Sequence, residues 1–141
     1  MAAKHIPGEG DPFSGGVPGI PKVAHVTVGP ATTCDVVIGD TAAYTLFSVH
    51  EPVMILHMWT QTATAFTSSV TLDIGDSTTA ALFISDTTIN PAATGAVLIA
   101  DTGLTVPYVY AAAQDILVDV NGATVAAGLL NVYMEYVILG D

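Results

Sequence analysis

The residues best suited to metal or acid–base chemistry lie close together in the middle of the chain. His50 and Glu51 are adjacent, and His57 follows six residues after Glu51. Transition metals are held by several converging imidazole and carboxylate groups, and this stretch lacks a His-x-His pair. His57 also lies within an apolar run, which favours a hydrogen-bonded structural histidine. We therefore expect no metal site and no cofactor here.

Serine, threonine and glycine are plentiful but are not arranged for catalysis. The chain has no Gly-x-Ser-x-Gly elbow and no phosphate-binding loop, since its only lysines are Lys4 and Lys22. The aspartates of three acidic turns, Asp40, Asp76 and Asp86, offer oxygen ligands for Ca²⁺, but none follows an EF-hand pattern. Aspartate also favours turns for backbone reasons alone. The sequence predicts that the protein is not an enzyme.

The charge balance excludes one large class of partners. Thirteen acidic residues oppose two lysines and no arginine, for a net charge of -11. Binding to nucleic acid requires cationic side chains that neutralise phosphates, and anionic lipid surfaces make the same demand. We expect neither nucleic acid nor membrane as a partner.

Composition also indicates a soluble chain with more apolar residues than one small domain can easily cover. Hydrophobic residues form 51% of the chain and charged residues 11%, against about 25% charged in ordinary domains. No apolar run is long enough for a membrane helix and no signal peptide can be recognised, so we expect synthesis in the cytoplasm. The single Cys34 cannot form an intrachain disulfide and is expected to be a small, buried or half-buried apolar side chain. The apolar excess favours self-association or docking on a larger surface.

Short runs rich in Val, Ile, Thr and Tyr, separated by Gly, Pro, Asn or Asp, follow Pro21. This pattern is typical of a β-sandwich or barrel, and no window carries a helical stripe. An all-β, antiparallel jelly-roll sandwich is favoured over an immunoglobulin-type one, because no Cys…Trp…Cys spacing is present. The predicted strands cover residues 22–28, 35–39, 43–50, 53–62, 69–74, 79–85, 96–100, 105–111, 115–120 and 128–139.

Several strands alternate between apolar and polar residues, which predicts one buried face. Residues 70, 72 and 74 are predicted to face the core, as are the even-numbered residues from 130 to 138. The run 53–60 is apolar on both faces. Strict alternation places Val53, Ile55 and Trp59 on one side. It places Met54, Leu56 and Met58 on the other, where we expect an interface between subunits.

Two local signals concern the last strands. Asn121-Gly122 is a strong signal for a two-residue hairpin. Such a turn would direct odd-numbered residues toward the core on the return, whereas the last strand buries even-numbered ones, so a bulge near Gly128 would be required. The alternative is that residues 121–128 form a loop. Pro107 confines its strand to an edge or a bulge.

The first 21 residues differ from the rest, because four of the eight prolines lie between residues 5 and 21. Neither helix nor sheet is expected to persist through such a segment. We therefore divide the chain into an extended N-terminal arm, residues 1–21, and a sandwich domain, residues 22–141. The arm nevertheless carries spaced apolar residues suited to binding a neighbour, namely Ile6, Phe13, Val17 and Ile20.

The stretches IGDSTTAALFIS (74–85) and ILVDVNGATVAAGLLNVYMEY (116–136) resemble the decoration, or cement, proteins of tailed bacteriophages. The resemblance covers residues 36–140 and implies a trimeric jelly roll on the capsid exterior that binds the major capsid protein and needs no cofactor. The residues of the arm would then attach it to the capsid or to a neighbouring subunit. The alternative is a carbohydrate- or receptor-binding jelly-roll module of a viral fibre or spike, in which Tyr108, Tyr110 and Trp59 stack on sugars, although Trp59 fits the core better.

Overall fold

The computed structural model describes residues 4–5, 19–50, 52–85, 97–98 and 107–139, with 4–5 and 97–98 described as backbone only. Within these residues the protein is all-β, as predicted. No helix among them is long and apolar enough to cross a membrane. The strands are β1 (Lys4–His5), β2 (Lys22–Gly29), β3 (Val36–Val37), β4 (Ala43–Val49), β5 (Val53–Thr64), β6 (Thr71–Gly75), β7 (Val97–Leu98), β8 (Tyr108–Tyr110), β9 (Gln114–Asn121) and β10 (Leu129–Ile138).

The strands form two sheets that pack as a sandwich. The four-stranded sheet has the order β1-β4-β9-β6, and the six-stranded sheet has the order β3-β2-β10-β5-β7, with β8 also paired to β5. The antiparallel pairs are nested along the chain: β2 with β10, β4 with β9, and β5 with β7 and β8. The innermost pair is a single bridge between Ile74 in β6 and Ile84. This nesting is the arrangement of a jelly roll, so the predicted fold class is confirmed.

Alternating apolar residues fill the space between the sheets. The five even-numbered residues from 130 to 138 are all buried, as are residues 70, 72 and 74, which confirms the predicted inward faces. Val26 and Val28 of β2 and Ile116, Val118 and Val120 of β9 follow the same rule. The core therefore follows directly from a period of two in the sequence.

A β-bulge in β5 reverses the predicted faces of that strand. Glu135 of β10 lies opposite His57 while the next residue, Tyr136, lies opposite Ile55, so Leu56 is the extra residue. One inserted residue shifts every later side chain to the other face. Met58 is consequently fully buried in the core. The predicted placement of Met58 on an interface was wrong, and so was the predicted core position of Trp59, which is half-buried on the outer face.

The connection between the last two strands is a loop and not a hairpin. β9 and β10 belong to different sheets, so Asn121-Gly122 does not join paired strands. The loop alternative is therefore the correct one. Gly122 does adopt a positive φ of 87°, as the turn signal indicated. The backbone N–H groups of Ala126 and Ala127 both donate to the Thr67 hydroxyl, at 2.8 and 3.0 Å, which ties the loop to the sandwich.

Two further sequence signals are resolved by the sheet order. Pro107 immediately precedes β8, which pairs only with β5 among the described strands, so the predicted edge position is confirmed. The strand predicted over 79–85 is reduced to the bridge at Ile84. The preceding residues turn instead, because the Asp76 carboxylate accepts hydrogen bonds from the N–H groups of Thr78 and Thr79.

Candidate functional site

The histidines that suggested metal chemistry lie on different sheets. His50 is exposed just after β4, whereas His57 lies on β5 with its side chain 58% exposed. Oε1 of Glu135 lies 4.0 Å from Nε2 of His57. Glu51 lies outside the described residues. In the described part of the chain, no three His, Cys, Asp or Glu side chains are placed to share a metal ion.

A ladder of stacked rings crosses the outer face of the six-stranded sheet. Strand pairing sets Tyr133 of β10 directly opposite His25 of β2 on one side and Trp59 of β5 on the other. The His25 and Tyr133 rings stack at 4.5 Å between centroids, and the Tyr133 and Trp59 rings at 5.4 Å. Asn131 Oδ1 lies 2.9 Å from His25 Nε2 and holds the imidazole in place. The ladder stiffens the centre of this face.

Stacking within the ladder limits what the rings can do. The Tyr133 ring has interplanar angles of 14° with His25 and 9° with Trp59. Parallel rings on neighbouring strands direct their flat faces at one another and their edges outward. Tyr133 therefore has both ring faces occupied within the sheet and presents an edge to any partner.

The aromatic residues considered for sugar binding are divided between two clusters. Trp59 belongs to the ladder, whereas Tyr108 and Tyr110 pack edge-on against each other and against Phe83. Tyr110 is buried and Tyr108 half-buried. The three do not form one aromatic platform.

The outer face of the four-stranded sheet is acidic. Asp73 of β6 lies directly opposite Asp119 of β9, and Asp115 follows on the same face of β9. The Asn121 amide donates to Asp73 Oδ2 at 3.4 Å. Like charges opposed across strands destabilise a sheet, so this face retains its charge at some cost in stability.

Two shallow clefts lie side by side on this acidic face and share Ser77 and Leu117. Their volumes are about 400 and 260 Å³. Neither lining contains a Phe, Tyr or Trp ring, so the clefts offer hydrogen bonds over a small apolar floor. The larger is lined by Val49, His50, Ser77, Ala113, Gln114, Asp115 and Leu117, and the smaller by Ala43, Asp76, Ser77, Thr78, Ala80, Leu117 and Asp119.

Asp76 connects the two sheets. Its Oδ2 accepts a hydrogen bond of 2.8 Å from the Tyr110 hydroxyl of β8, and its Oδ1 accepts from the N–H groups of Thr78 and Thr79. Burial by itself would raise the pKa of Asp76, but the donors from Thr79, Tyr110 and Thr78 outweigh it and hold the pKa below its usual range. Burial, reinforced by Asp76, raises the pKa of Tyr110, so the phenol remains protonated. The carboxylate acts as a structural link.

Cys34 is buried, as predicted. Burial raises the pKa of its thiol, with a smaller contribution of the same sign from Asp35. A raised pKa reduces the thiolate fraction at neutral pH, and the thiolate is the nucleophilic form. This side chain fills space in the core.

The predicted attachment and interface residues are placed only in part. Ile20 is exposed beside the six-stranded sheet, and Met54 and Leu56 are half-buried on β5. Ile6, Phe13 and Val17 lie outside the described residues. Sequence reasoning did not identify the ring ladder, although the outward position of Tyr133 follows from the alternation in β10.

Comparison with known proteins finds no matching family model and no matching curated protein. Two solved structures contain chains of similar fold. One is a chain in the capsid asymmetric unit of cyanophage Pam1, with a TM-score of 0.58 and 17% identity, covering 87% of this chain and 88% of that one. The other is a chain in the acidic stable capsid structure of Helicobacter pylori bacteriophage KHP30, with a TM-score of 0.60 and 11% identity, covering 88% of this chain and 92% of that one.

Proposed function

We propose that this protein is a virion structural protein that decorates the outside of a tailed-phage capsid as a homotrimer. The observation that carries the proposal is the shared fold with chains of two phage capsids over nearly the full length of each chain. Each similarity covers about nine-tenths of both chains, so those chains are close to this one in length. The partner in this role is the major capsid protein.

The surfaces of the described sandwich support a binding role. The charged face is acidic and its clefts are shallow, and the described residues form no grouping of the kind that binds a metal ion. A net charge of -11 keeps the outside of a decorated particle soluble and disfavours contact with nucleic acid. The virion exterior is the location that fits these properties.

Attachment is assigned to the N-terminal arm, residues 1–21. Its four spaced apolar side chains can each occupy a small depression on the capsid or on a neighbouring subunit, whereas its prolines limit the entropy lost on ordering. The described end of the arm, Ile20, is more than half exposed. Three arms in one trimer would bind multivalently.

The test is binding to capsids of the encoding phage assembled without this protein. We expect saturable, stoichiometric binding in co-sedimentation, and additional density on the outer surface in electron micrographs. Heat-unfolded protein is the control for non-specific adhesion. Failure to bind such capsids, together with selective binding on a glycan array, would replace decoration by the receptor-binding role.

A further inference from the structure

The most exposed large apolar side chains of the described residues lie together at one end of the six-stranded sheet. They are Ile20 at 52% exposure, Val23 at 55%, Val109 at 52% and Leu139 at 43%. Val23 lies near the start of β2, Leu139 follows the end of β10, and Val109 lies on β8, which pairs with the start of β5. These positions are distant in sequence but belong to the same sheet end.

The strand register brings these side chains into neighbouring positions around Val137, which is itself buried at 7% exposure. Val109 of β8 lies opposite Met54 of β5, which lies opposite Val137 of β10. The N–H of Gly19 bonds to the carbonyl of Ile138 at 2.9 Å, which fixes Ile20 next to the end of β10. Leu56, the bulged residue of β5, adds to the same area. We call this surface the apolar end, formed by Ile20, Val23, Met54, Leu56, Val109 and Leu139.

The proposed homotrimer makes a second copy of this chain the occupant of the apolar end, and charge decides which surface two copies can share. Any second copy also carries a net charge of -11, so two copies repel unless they meet where carboxylates are few. The acidic face presents Asp73, Asp115 and Asp119 and is unsuited to self-contact. Among the described residues, the strand register places one carboxylate beside the apolar end, Glu135, whose Oε1 is 4.0 Å from Nε2 of His57.

We propose that copies of this chain contact one another through the apolar end. This inference rests on the proposed function, because it names the surface through which a decoration trimer would assemble. It retains Met54 and Leu56 as interface residues and replaces Met58, which lies beneath the surface, with Val23, Val109 and Leu139. The acidic face is then directed away from the contact between copies.

Two substitutions place a carboxylate within the proposed contact. Leu139→Asp changes a position just outside β10, and Val109→Asp changes an exposed position in β8. An interface carboxylate without a partner is costly to desolvate. Ala43→Asp adds the same charge at an exposed position of the four-stranded sheet, and Val109→Thr preserves the shape of valine without a charge.

The measurement is the molar mass from light scattering at micromolar concentration, with circular dichroism to establish folding. We expect Leu139→Asp and Val109→Asp to reduce the mass to that of a single chain, while Ala43→Asp and Val109→Thr keep the mass of the unmodified protein. Folded Asp variants that keep the full mass would overturn the inference. So would a monomeric unmodified protein, and in that case binding to capsids would still support decoration of the capsid but not by a homotrimer.

A second measurement does not depend on destabilising variants. With Cys34 replaced by Ala, a nitroxide label is attached to Leu139→Cys or to Ala43→Cys, and pulsed electron paramagnetic resonance gives distances between copies. We expect a shorter distance for residue 139 than for residue 43. The opposite order would place the contact on the four-stranded sheet and reject the apolar end.

Discussion

Thr60 places a hydroxyl group in the core of the sandwich. The side chain is 1% exposed, and within the described part of the chain its Oγ1 has no hydrogen-bond partner. Thr60→Val replaces the hydroxyl with a methyl group of similar shape and removes the desolvation cost. We expect the free energy of unfolding to rise by about 1 kcal/mol.

Chemical denaturation measures this change, and Thr62→Val is the matched control. Thr62 is equally buried on the same strand but has an interaction partner, so its replacement is expected to leave stability unchanged or lower it. A loss of stability in Thr60→Val would show that the hydroxyl is satisfied.

The second prediction for a single residue concerns the hydrogen bond that the Tyr110 hydroxyl donates to Asp76. Tyr110→Phe keeps the ring in place against Phe83 and Tyr108 but removes the donor to Asp76 Oδ2. A hydrogen bond to a buried charged group contributes about 1.5 to 3 kcal/mol. We expect the free energy of unfolding at pH 7 to fall by roughly that amount in chemical denaturation.

The pH dependence of this loss has a definite sign. The folded pKa of Asp76 is held below its unfolded value, so the stabilisation is present above the unfolded pKa of about 3.9 and lost as pH falls through the folded pKa. The difference between unmodified protein and Tyr110→Phe should therefore shrink in acid and be constant from about pH 5 to about pH 9. It should shrink again in alkali, because the raised pKa of Tyr110 leaves the phenol protonated in the folded state while it ionises in the unfolded chain near pH 10. A difference that stays the same down to pH 2 would mean that Tyr110 acts through packing alone.

Single residues were predictable where a local period determined their position. The inward faces of β6 and β10 followed from alternation, and Cys34 was correctly expected to be buried. The ring ladder was not predictable, because it requires the register of three strands that are far apart in sequence. For the same reason, the sequence analysis did not predict the hydrogen bond between Asp76 and Tyr110, which are 34 residues apart.

At the scale of elements, the positions of most strands could be predicted from the sequence, whereas their pairing partners could not. The bulge at Leu56 has no glycine to indicate it and arises from pairing with β10, so strict alternation misplaced Met58 and Trp59. A second bulge at Leu46 explains why Leu46 and Phe47 are both buried although they are adjacent. The Asn121-Gly122 signal correctly indicated a turn, but tertiary structure directed the chain into the other sheet.

Gly128 controls the entry of the chain into β10. Its φ of 134° lies in a region that favours glycine, and a Cβ at this position would meet the ring of Phe66. Gly128→Ala should therefore lower the free energy of unfolding by about 1 to 3 kcal/mol, with the loss measured by chemical denaturation.

Gly39→Ala is the control for this element. Gly39 has no positive φ, and nothing lies within 4 Å of a Cβ built there, so we expect little change. Equal effects of the two substitutions would mean that the general loss of glycine, and not the approach of Phe66, determines stability at Gly128.

For the whole molecule, the two outer faces of the sandwich differ in chemistry. The four-stranded sheet is acidic, whereas the six-stranded sheet runs from a polar end at Thr27 and Asn131, through the ring ladder, to the apolar end. An acidic surface keeps copies of the protein apart in solution, whereas a cluster of exposed apolar side chains marks a contact surface. This polarity could not be predicted from composition, because the order of strands decides which side chains share a face.

The last prediction concerns the N-terminal arm, of which the structure describes residues 4–5 and 19–21. Its only described strand, β1, pairs two residues with Phe47 and Ser48 of β4, and ladder hydrogen bonds contribute about 1 kcal/mol each. Deletion of residues 1–18 preserves the bond from Gly19 to Ile138. We therefore expect a small decrease in the unfolding temperature and a large loss of capsid binding, measured by calorimetry and co-sedimentation.

Buried anchors of the size of Phe13 and Val17 contribute about 1.5 to 3 kcal/mol each. Phe13→Ser with Val17→Ser should weaken binding at unchanged length, while Ser14→Ala should not. If the deleted protein bound capsids as tightly as the full chain, attachment would belong to the sandwich, and the acidic face would be the surface to substitute next.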